Sequence, residues 1–523
     1  MKDFGIAPCT NDWIEKSLKI FEKYENNNNT KFIFEKGIYH IKNHSTEIPF
    51  FITNSMSKKE GFILNKKIGL FLHHCKFITL DFSDSTILFH DKMCELVMID
   101  CEAIKICNVT MDYVNPTVFE GEVVKSNFFT CEIKINNEYN YSLKRGRFTW
   151  NYNEQKIKTP LMVKVSKGIF KRGHSLLSTY IFSRTAGDRV KFYKLSFINT
   201  YHVGDKLHFR TGLRDSCGVF INKSKNIKFE NVTIHFMHGL GVVSQFSRDL
   251  YFKNVKLTPR KNSQRQVTGF ADLMHFSGCS GDIKISNSEF DGAHDDCINI
   301  HGTHLKIIKQ INTKELLIKY MHPQTFGFAP YAIGDSIGIT NPKTLKTLFV
   351  SKVICINKIF DEEWKIMLDD ELNDVLGFVV ENKSATPRVL IENNILRNVP
   401  TRAILVTTEK EIVIKNNLFE NIPMASILIA NDGKSWYESG AVKDVTIKNN
   451  KFVNCKSPII AVKPENKIFA GYVHENIKIC DNDLSQCEKP FFSFTNTHGI
   501  YQQNNKNLHK CILKNSGVTR GRG

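Results

Sequence analysis

VLIENNILRNVP (389–400), IVIKNNLFENIP (412–423), VTIKNNKFVNC (445–455) and IKICDNDLSQC (477–487) are four versions of one pattern. Each opens with apolar residues alternating with polar ones, the period-two mark of a half-buried strand. Each then turns through Asn or Asp, residues that tolerate left-handed backbone. The same pattern recurs upstream in IKICNVTMDYV from Ile104, IKFENVTIHFM from Ile227, LYFKNVKLTP from Leu250 and IKISNSEFDG from Ile283. Asn231 to Asn254 and Asn393 to Asn416 are both 23 residues; Asn416 to Asn449 is 33, and Ile447 to Ile479 is 32. A coil of three short strands and three turns uses about this many residues, and loops absorb the variation. No amphipathic helix lies between the repeats, which excludes β-α-β units. The pattern predicts an all-β, right-handed parallel β-helix with Phe and Ile stacked inside and Asn stacked at turns. A β-propeller is the alternative, but its blades need about 40 residues with a signature of their own.

Two stretches interrupt the cadence. Residues 117–208 and 305–385 are strand-rich, lack the Asn turns, and each carries a Gly-Asp pair before an apolar strand, Gly204-Asp205 and Gly334-Asp335. They read as two β-barrel-like insertions. DWIEKSLKIFEKY (12–24) reads as a helix with Asp12 near its cap, covering the first open edge of the solenoid. The expected organisation is therefore a cap and first coils (1–116), an insert (117–208), central coils (209–304), a second insert (305–385), and last coils with a tail (386–523).

Composition narrows the function. The chain has 523 residues, 41% hydrophobic and 24% charged, enough for a large core and unlike disordered sequence. Its formal charge of +18 comes mostly from dispersed Lys, with no basic tail and no aromatic RNA-binding signature. Nucleic acid is therefore not expected as a partner. No run approaches the roughly 18 apolar residues of a membrane helix. The start, MKDFGIAPCTNDW, has no apolar signal core. On that basis the location is cytoplasmic, or extracellular if a leader has been removed. The 14 Cys make no CxxC pair and read as reduced, mostly buried thiols.

The densest chemistry lies in GFADLMHFSGCSGDIKISNSEFDGAHDDCINIHGTH (269–304), with Asp272, His275, Asp295-Asp296, Asn299 and His301. Carboxylates crowded together push one pKa up, so one can hold a proton while another stays ionised. Hydrolysis of a glycosidic bond needs that division of labour. Asp272 and Asp295 are 23 residues apart, one coil step, so they are expected to stack with Asp296 beside them. A cation held by Asp272, Asp295, Asp296 and His301 is the competing reading, although the alternating acidic ladder of a calcium loop is absent.

These residues resemble glycoside hydrolase family 110, the exo-acting α-1,3-galactosidases. The resemblance is carried by ADLMHFSGCSG (271–281), FDGAHDDCINIHGTHL (290–305), TRAILVTT (401–408) and ASILIANDGKSWYESGAVKDVTIKNN (425–450), with support from VVSQFS (242–247) and HPQTFGF (322–328). It implies a parallel β-helix with two β-barrel insertions. It also implies inverting removal of terminal α-1,3-linked galactose from blood-group-B-type or linear α-galactosyl glycans, with no metal and no other cofactor. It puts the catalytic carboxylates at Asp272, Asp295 and Asp296. By analogy with inverting polygalacturonases, Asp295 is the acid and the other two serve water. Gln245, His275, Asn299, His301, Arg402, Trp436 and Glu438 are the expected substrate-binding residues, with Trp436 a candidate to stack on a sugar face. The partner implied is an α-galactosyl oligosaccharide or glycoconjugate, and a homodimer is left open. A different β-helix polysaccharide enzyme or a non-catalytic β-helix are the other readings. The first lacks a basic strand for uronates, and the second leaves the Asp cluster without a use.

Overall fold

The computed structural model describes residues 1–8, 10, 12–24, 29–135, 139, 141–144, 147–152, 155–158, 161–172, 182–185, 187–193, 201–210 and 213–517. Parts of the expected insert 117–208 lie outside these residues. Among the described residues, the chain alternates between two long sheets, one of 17 strands and one of 13. Leu240–Gln245 belongs to the second sheet, Arg248–Leu257 to the first, Met274–Ser277 to the second and Ser280–Ser286 to the first. Successive coils pair in parallel. Val389 lies opposite Ile412, Ile412 opposite Val445, and Val445 opposite Ile477. The molecule is a parallel β-helix.

Each residue of the Asn-Asn pair has a separate task. The first, at 393, 416 and 449, turns the corner with φ of 56°, 57° and 55°. The second points inward and is buried. Asn394, Asn417, Asn450 and Asn482 donate from Nδ2 to Oδ1 of the equivalent Asn on the next coil, at 2.9–3.0 Å, ending at Asn505. A buried amide costs free energy unless it is bonded, and stacking identical amides bonds each to the next. An outer ladder, Asn454 to Asn421 to Asn398, runs beside it at 2.8 and 2.9 Å. Inside, Phe419 and Phe452 stack with ring centres 4.7 Å apart, and Phe229 and Phe252 at 5.3 Å.

Two register jumps show where chain leaves the coils. Ile104 pairs with Ile227 and Ile283 pairs with Val389, steps far longer than the usual 23 to 33. Between the first pair, Val118–Ser126 and Lys206–Arg210 belong to a seven-stranded antiparallel sheet, beside a separate three-stranded one. Between the second pair, six strands from Leu305–Gln310 to Val379–Asn382 close a barrel around Ile318, Ile337 and Ile366. Both Gly-Asp pairs form the same tight turn. Gly204 and Gly334 each have φ of 90°, which glycine alone adopts without strain. The following Asp amides donate back three residues, to His202 and Ala332.

The helix spans Trp13–Lys23 and seals the first coil with Trp13, Ile14 and Phe21. Asp12 makes no cap bond; its carboxylate pairs with Lys16 at 3.1 Å instead. Beyond it, Thr46–Pro49 pairs at the edge of the second sheet, and residues 50–57 then cross that sheet's outer face. Phe50 stacks on Phe220 at 4.8 Å, and this packing carries Thr53 and Asn54 toward the central coils.

Candidate active site

Met274–Ser277 and Ile298–Thr303 are neighbouring strands of the second sheet, with Met274 opposite Ile298. The step here is 24 residues, which corrects the stacking expected from the sequence. Asp272 lies over Asp296 rather than Asp295, and the Asp296 amide donates to Asp272 Oδ1 at 3.2 Å. Asp295 is displaced to the side and is the more exposed of the three. One carboxylate oxygen from each lies within 4.8 Å of the others. His301 is not in that group. At Gly241, whose amide donates to the Asp272 carbonyl at 2.8 Å, an added Cβ would sit 2.2 Å from the Leu273 carbonyl oxygen. Only glycine fits that approach.

Each carboxylate has its own surroundings. Asp296 is buried, and its Oδ1 accepts from Thr401 Oγ1 at 2.7 Å, from the Arg402 amide at 3.1 Å and from Arg402 Nε at 3.0 Å. Arg402 Nη2 closes a second contact on Oδ2 at 2.9 Å. Burial nonetheless pushes its pKa up to about 6, with Arg402 opposing and the neighbouring Asp charges assisting. Asp295 accepts from Arg172 Nη2 at 2.7 Å, a side chain that arrives from the first insert. Asp272 is pushed up to about 7, by burial first and the Asp295 charge second.

A hydrogen-bond chain runs behind Asp272 through His275 and His301. The Gly302 carbonyl can only accept, so His301 Nδ1, 2.6 Å away, carries a hydrogen. Burial holds both His301 and His275 below their usual pKa, His275 at about 4, so both rings are neutral. His301 Nε2 must then accept from His275 Nε2 at 3.0 Å. His275 Nδ1 is left without a hydrogen, and Asp272 Oδ2 at 2.8 Å donates to it. With both rings neutral the chain favours the proton on Asp272, the same direction in which burial shifts its carboxyl.

The three aspartates open onto a cavity of about 220 Å³. That is below the roughly 300–1,000 Å³ of drug-sized pockets and suits one sugar ring rather than a polymer segment. Of the expected binding residues, Asn299, Arg402, Trp436 and Glu438 line it. Asn299 Oδ1 is buried without a partner among the described residues, while the residue itself lines the cavity. Trp436 is 46% exposed, stacks on His322 at 4.3 Å, and is presented by a turn closed on Asp432. Glu438 Oε1 accepts from Asn54 Nδ2 at 3.0 Å.

Three expected binding residues do not line the cavity. Gln245 is buried and accepts from the Thr53 amide at 2.9 Å, fixing the loop that brings Asn54 in. His275 and His301 lie behind Asp272 as the chain just described. Conversely, Asn54, Arg172, Arg214 and Glu465 line the cavity without a sequence signal of their own, since no repeat or motif marks them. A larger cavity of about 570 Å³ lies along the first sheet, where Arg260 is closed on Asp112 and Arg397 on Asp291 and Glu289. Among the described residues it brings no three carboxylates within 4.8 Å of one another.

A parallel β-helix with three carboxylates facing a one-ring cavity belongs to the class of glycoside hydrolases. Its relatives specify it further. The chain is 35% identical to α-1,3-galactosidase A of Bacteroides thetaiotaomicron, over 86% of this chain and 80% of that one. It is 34% identical to α-1,3-galactosidase A of Akkermansia muciniphila, over 76% and 67%. It is 28% identical to α-1,3-galactosidase B of B. thetaiotaomicron, over 96% and 84%. The chain belongs to this family of α-1,3-galactosidases, glycoside hydrolase family 110. The model of GLAA-B β-barrel domain II matches residues 315–377, within the closed barrel. Among solved structures, an exopolygalacturonase of Thermotoga maritima matches at TM-score 0.39 and 8% identity, over 98% of this chain and 90% of that one.

Proposed function

We propose that the chain is an inverting exo-α-galactosidase that removes terminal α-1,3-linked galactose from blood-group-B-type or linear α-galactosyl glycans. One observation carries the reading: Asp272, Asp295 and Asp296 meet within 4.8 Å at a cavity sized for one ring. Residues 117–208 and 305–385 act as inserted modules that frame this cavity, the first through Arg172 and the second through His322 against Trp436.

In this mechanism Asp295 gives its proton to the glycosidic oxygen as the C1–O bond breaks. A water attacks C1 from the opposite face and loses its proton to the Asp272–Asp296 side. Arg402 keeps Asp296 anionic to orient that water. The products are β-galactose and the aglycone alcohol. Typical inverting pairs stand about 6.5–9.5 Å apart, wider than the separation here, so product stereochemistry is the deciding measurement. NMR of the first product should show β-galactose; α-galactose overturns inversion.

The hydrogen-bond chain supports a second assignment, in which the protonated Asp272 is the acid. An aryl α-galactoside with a good leaving group separates the two. If Asp295 is the acid, Asp295→Asn regains activity on that substrate and Asp272→Asn does not; the reverse pattern assigns Asp272. No ion enters either version, so EDTA should leave activity unchanged.

A further inference from the structure

Far from the cavity, His73, His74 and Asp100 each offer a ligand atom, and the three atoms lie within 4.8 Å of one another. We propose that they form a surface site for a divalent transition-type cation such as Zn²⁺, which fastens the first complete coil to the second. His73 ends the strand Asn65–His73 and lies opposite Ile99, which ends the strand Cys94–Ile99. His74 and Asp100 therefore occupy the same corner on successive coils. Both have left-handed backbone, φ 55° and 53°. Their amides are fixed by the stack, His74 to the Ile99 carbonyl and Asp100 to the Asn222 carbonyl, each at 3.1 Å.

The side chains are held as well. Phe71 stacks on the His73 ring at 5.6 Å and 13°, and the two imidazole centres are 3.7 Å apart. In a tetrahedral site with metal–ligand bonds of about 2.0–2.1 Å, donor atoms stand about 3.3 Å apart. Small rotations of exposed side chains close the present spacing to that value. Two imidazoles with one carboxylate suit Zn²⁺, Co²⁺, Ni²⁺ or Cu²⁺, whereas Ca²⁺ and Mg²⁺ prefer all-oxygen sets. The remaining position faces solvent and takes water. On the next coils the same corner carries Lys223 and Phe246, so the ligand set is confined to the first two coils.

The site is distinct from the catalytic carboxylates. His73 is in line with Ile99, Asn222, Gln245, Ser277 and His301 across the second sheet, five strand spacings of about 4.8 Å each.

Titration of the full-length protein with Zn²⁺, and with Co²⁺ read by its visible absorption, tests the proposal. Asn tolerates the left-handed corner, so His74→Asn and Asp100→Asn keep the fold. One equivalent should bind to the unaltered protein. Its affinity should fall roughly tenfold or more in both variants, as loss of even an outer partner can do, and stay unchanged in Asp272→Asn. Zn²⁺ at about 100 times its Kd should shift the folding equilibrium about 100-fold in the unaltered protein but not in His74→Asn. Galactosidase activity of His74→Asn should equal that of the parent, whatever the outcome at the aspartates. Loss of the ion in Asp272→Asn with retention in His74→Asn overturns the proposal, as does equal affinity for Ca²⁺ or no binding at about 100 µM Zn²⁺, tenfold above the weak end of sensor-type calcium affinities.

Discussion

The coils from Val389 to Gln503 and those from Leu240 to Thr303 share the same parallel stacking but use polar side chains differently. In the later coils the buried amides point inward, and each is satisfied by a copy of itself on the next coil. In the central coils His275, Asn299 and His301 point outward, and the aspartates beside them take partners that occur once: Arg172, Thr401 and Arg402. Repetition gives a stack whose stability is a sum of neighbour terms. Singular partners give one place where carboxyl groups are held in unlike surroundings, which acid–base chemistry requires. The comparison predicts that substitutions in one region act on folding and in the other on turnover.

Asp295→Asn and Asp296→Asn should sharpen it most. Each should lower kcat on an α-1,3-galactoside by about 10²–10⁴-fold, while thermal denaturation shows a cooperative fold. Unfolding of both variants at assay temperature would break the contrast.

Asn417→Ala should do the opposite. It removes the acceptor of both the Asn394 amide and Asn394 Nδ2, and the donor to the Ile391 carbonyl. Buried groups left unpaired in this way cost about 2–4 kcal/mol in total. Urea unfolding should record that loss while KM and kcat stay near their parent values. A fall in kcat with unchanged stability would show that the ladder reaches the site.

What was legible in the sequence divides along the same line. The alternation in VLIENNILRNVP and its relatives, with the Asn-Asp corners, suffices for a parallel β-helix because each coil repeats the same instruction. The buried role of the second Asn follows once the first is assigned to the turn. The grouping of three aspartates was legible, but not which of them stack. A step of 23 holds from Ile227 to Leu250, whereas Met274 to Ile298 is 24, and one residue decides whether Asp295 or Asp296 lies over Asp272. Asn54 and Arg172 were not legible. They reach the cavity through packing of Phe50 on Phe220 and through an insert that joins the coils more than 60 residues earlier, and neither contact leaves a local trace. Gln245 stays out of the cavity wall for a related reason: its coil position is right, but its carbonyl accepts from the Thr53 amide.

A smaller effect tests the cavity wall. Asn299→Ala removes an amide from the cavity wall, and with it the hydrogen bond the proposed complex would make to a sugar hydroxyl. One neutral hydrogen bond is worth about 0.5–1.5 kcal/mol, so kcat/KM should fall by roughly 3–10-fold without change in Tm. An unchanged kcat/KM removes Asn299 from the binding surface.

The smallest effect, and the one that reads the catalytic coils through their stability, is the pH dependence of Asp272→Asn. Burial raises the folded-state pKa of Asp272 to about 7, well above its ordinary value. Between about pH 4 and pH 7 the folded protein therefore holds a proton that the unfolded chain has released. Binding more protons when folded means that stability falls as pH rises through that window and is level above it. Asn cannot titrate, so the variant lacks this decline. Its Tm relative to the parent should increase from pH 4 to pH 8, by about 1–3 °C for a chain of this size. Asp296, whose carboxyl burial also pushes up, shares the titration, which keeps the change small. His275 offers an internal check, because its Nδ1 accepts from Asp272 and an amide nitrogen at residue 272 can donate the same bond. If the difference in Tm is flat between pH 4 and pH 8, Asp272 is ionised in the resting enzyme and the proton sits on the His275–His301 pair instead.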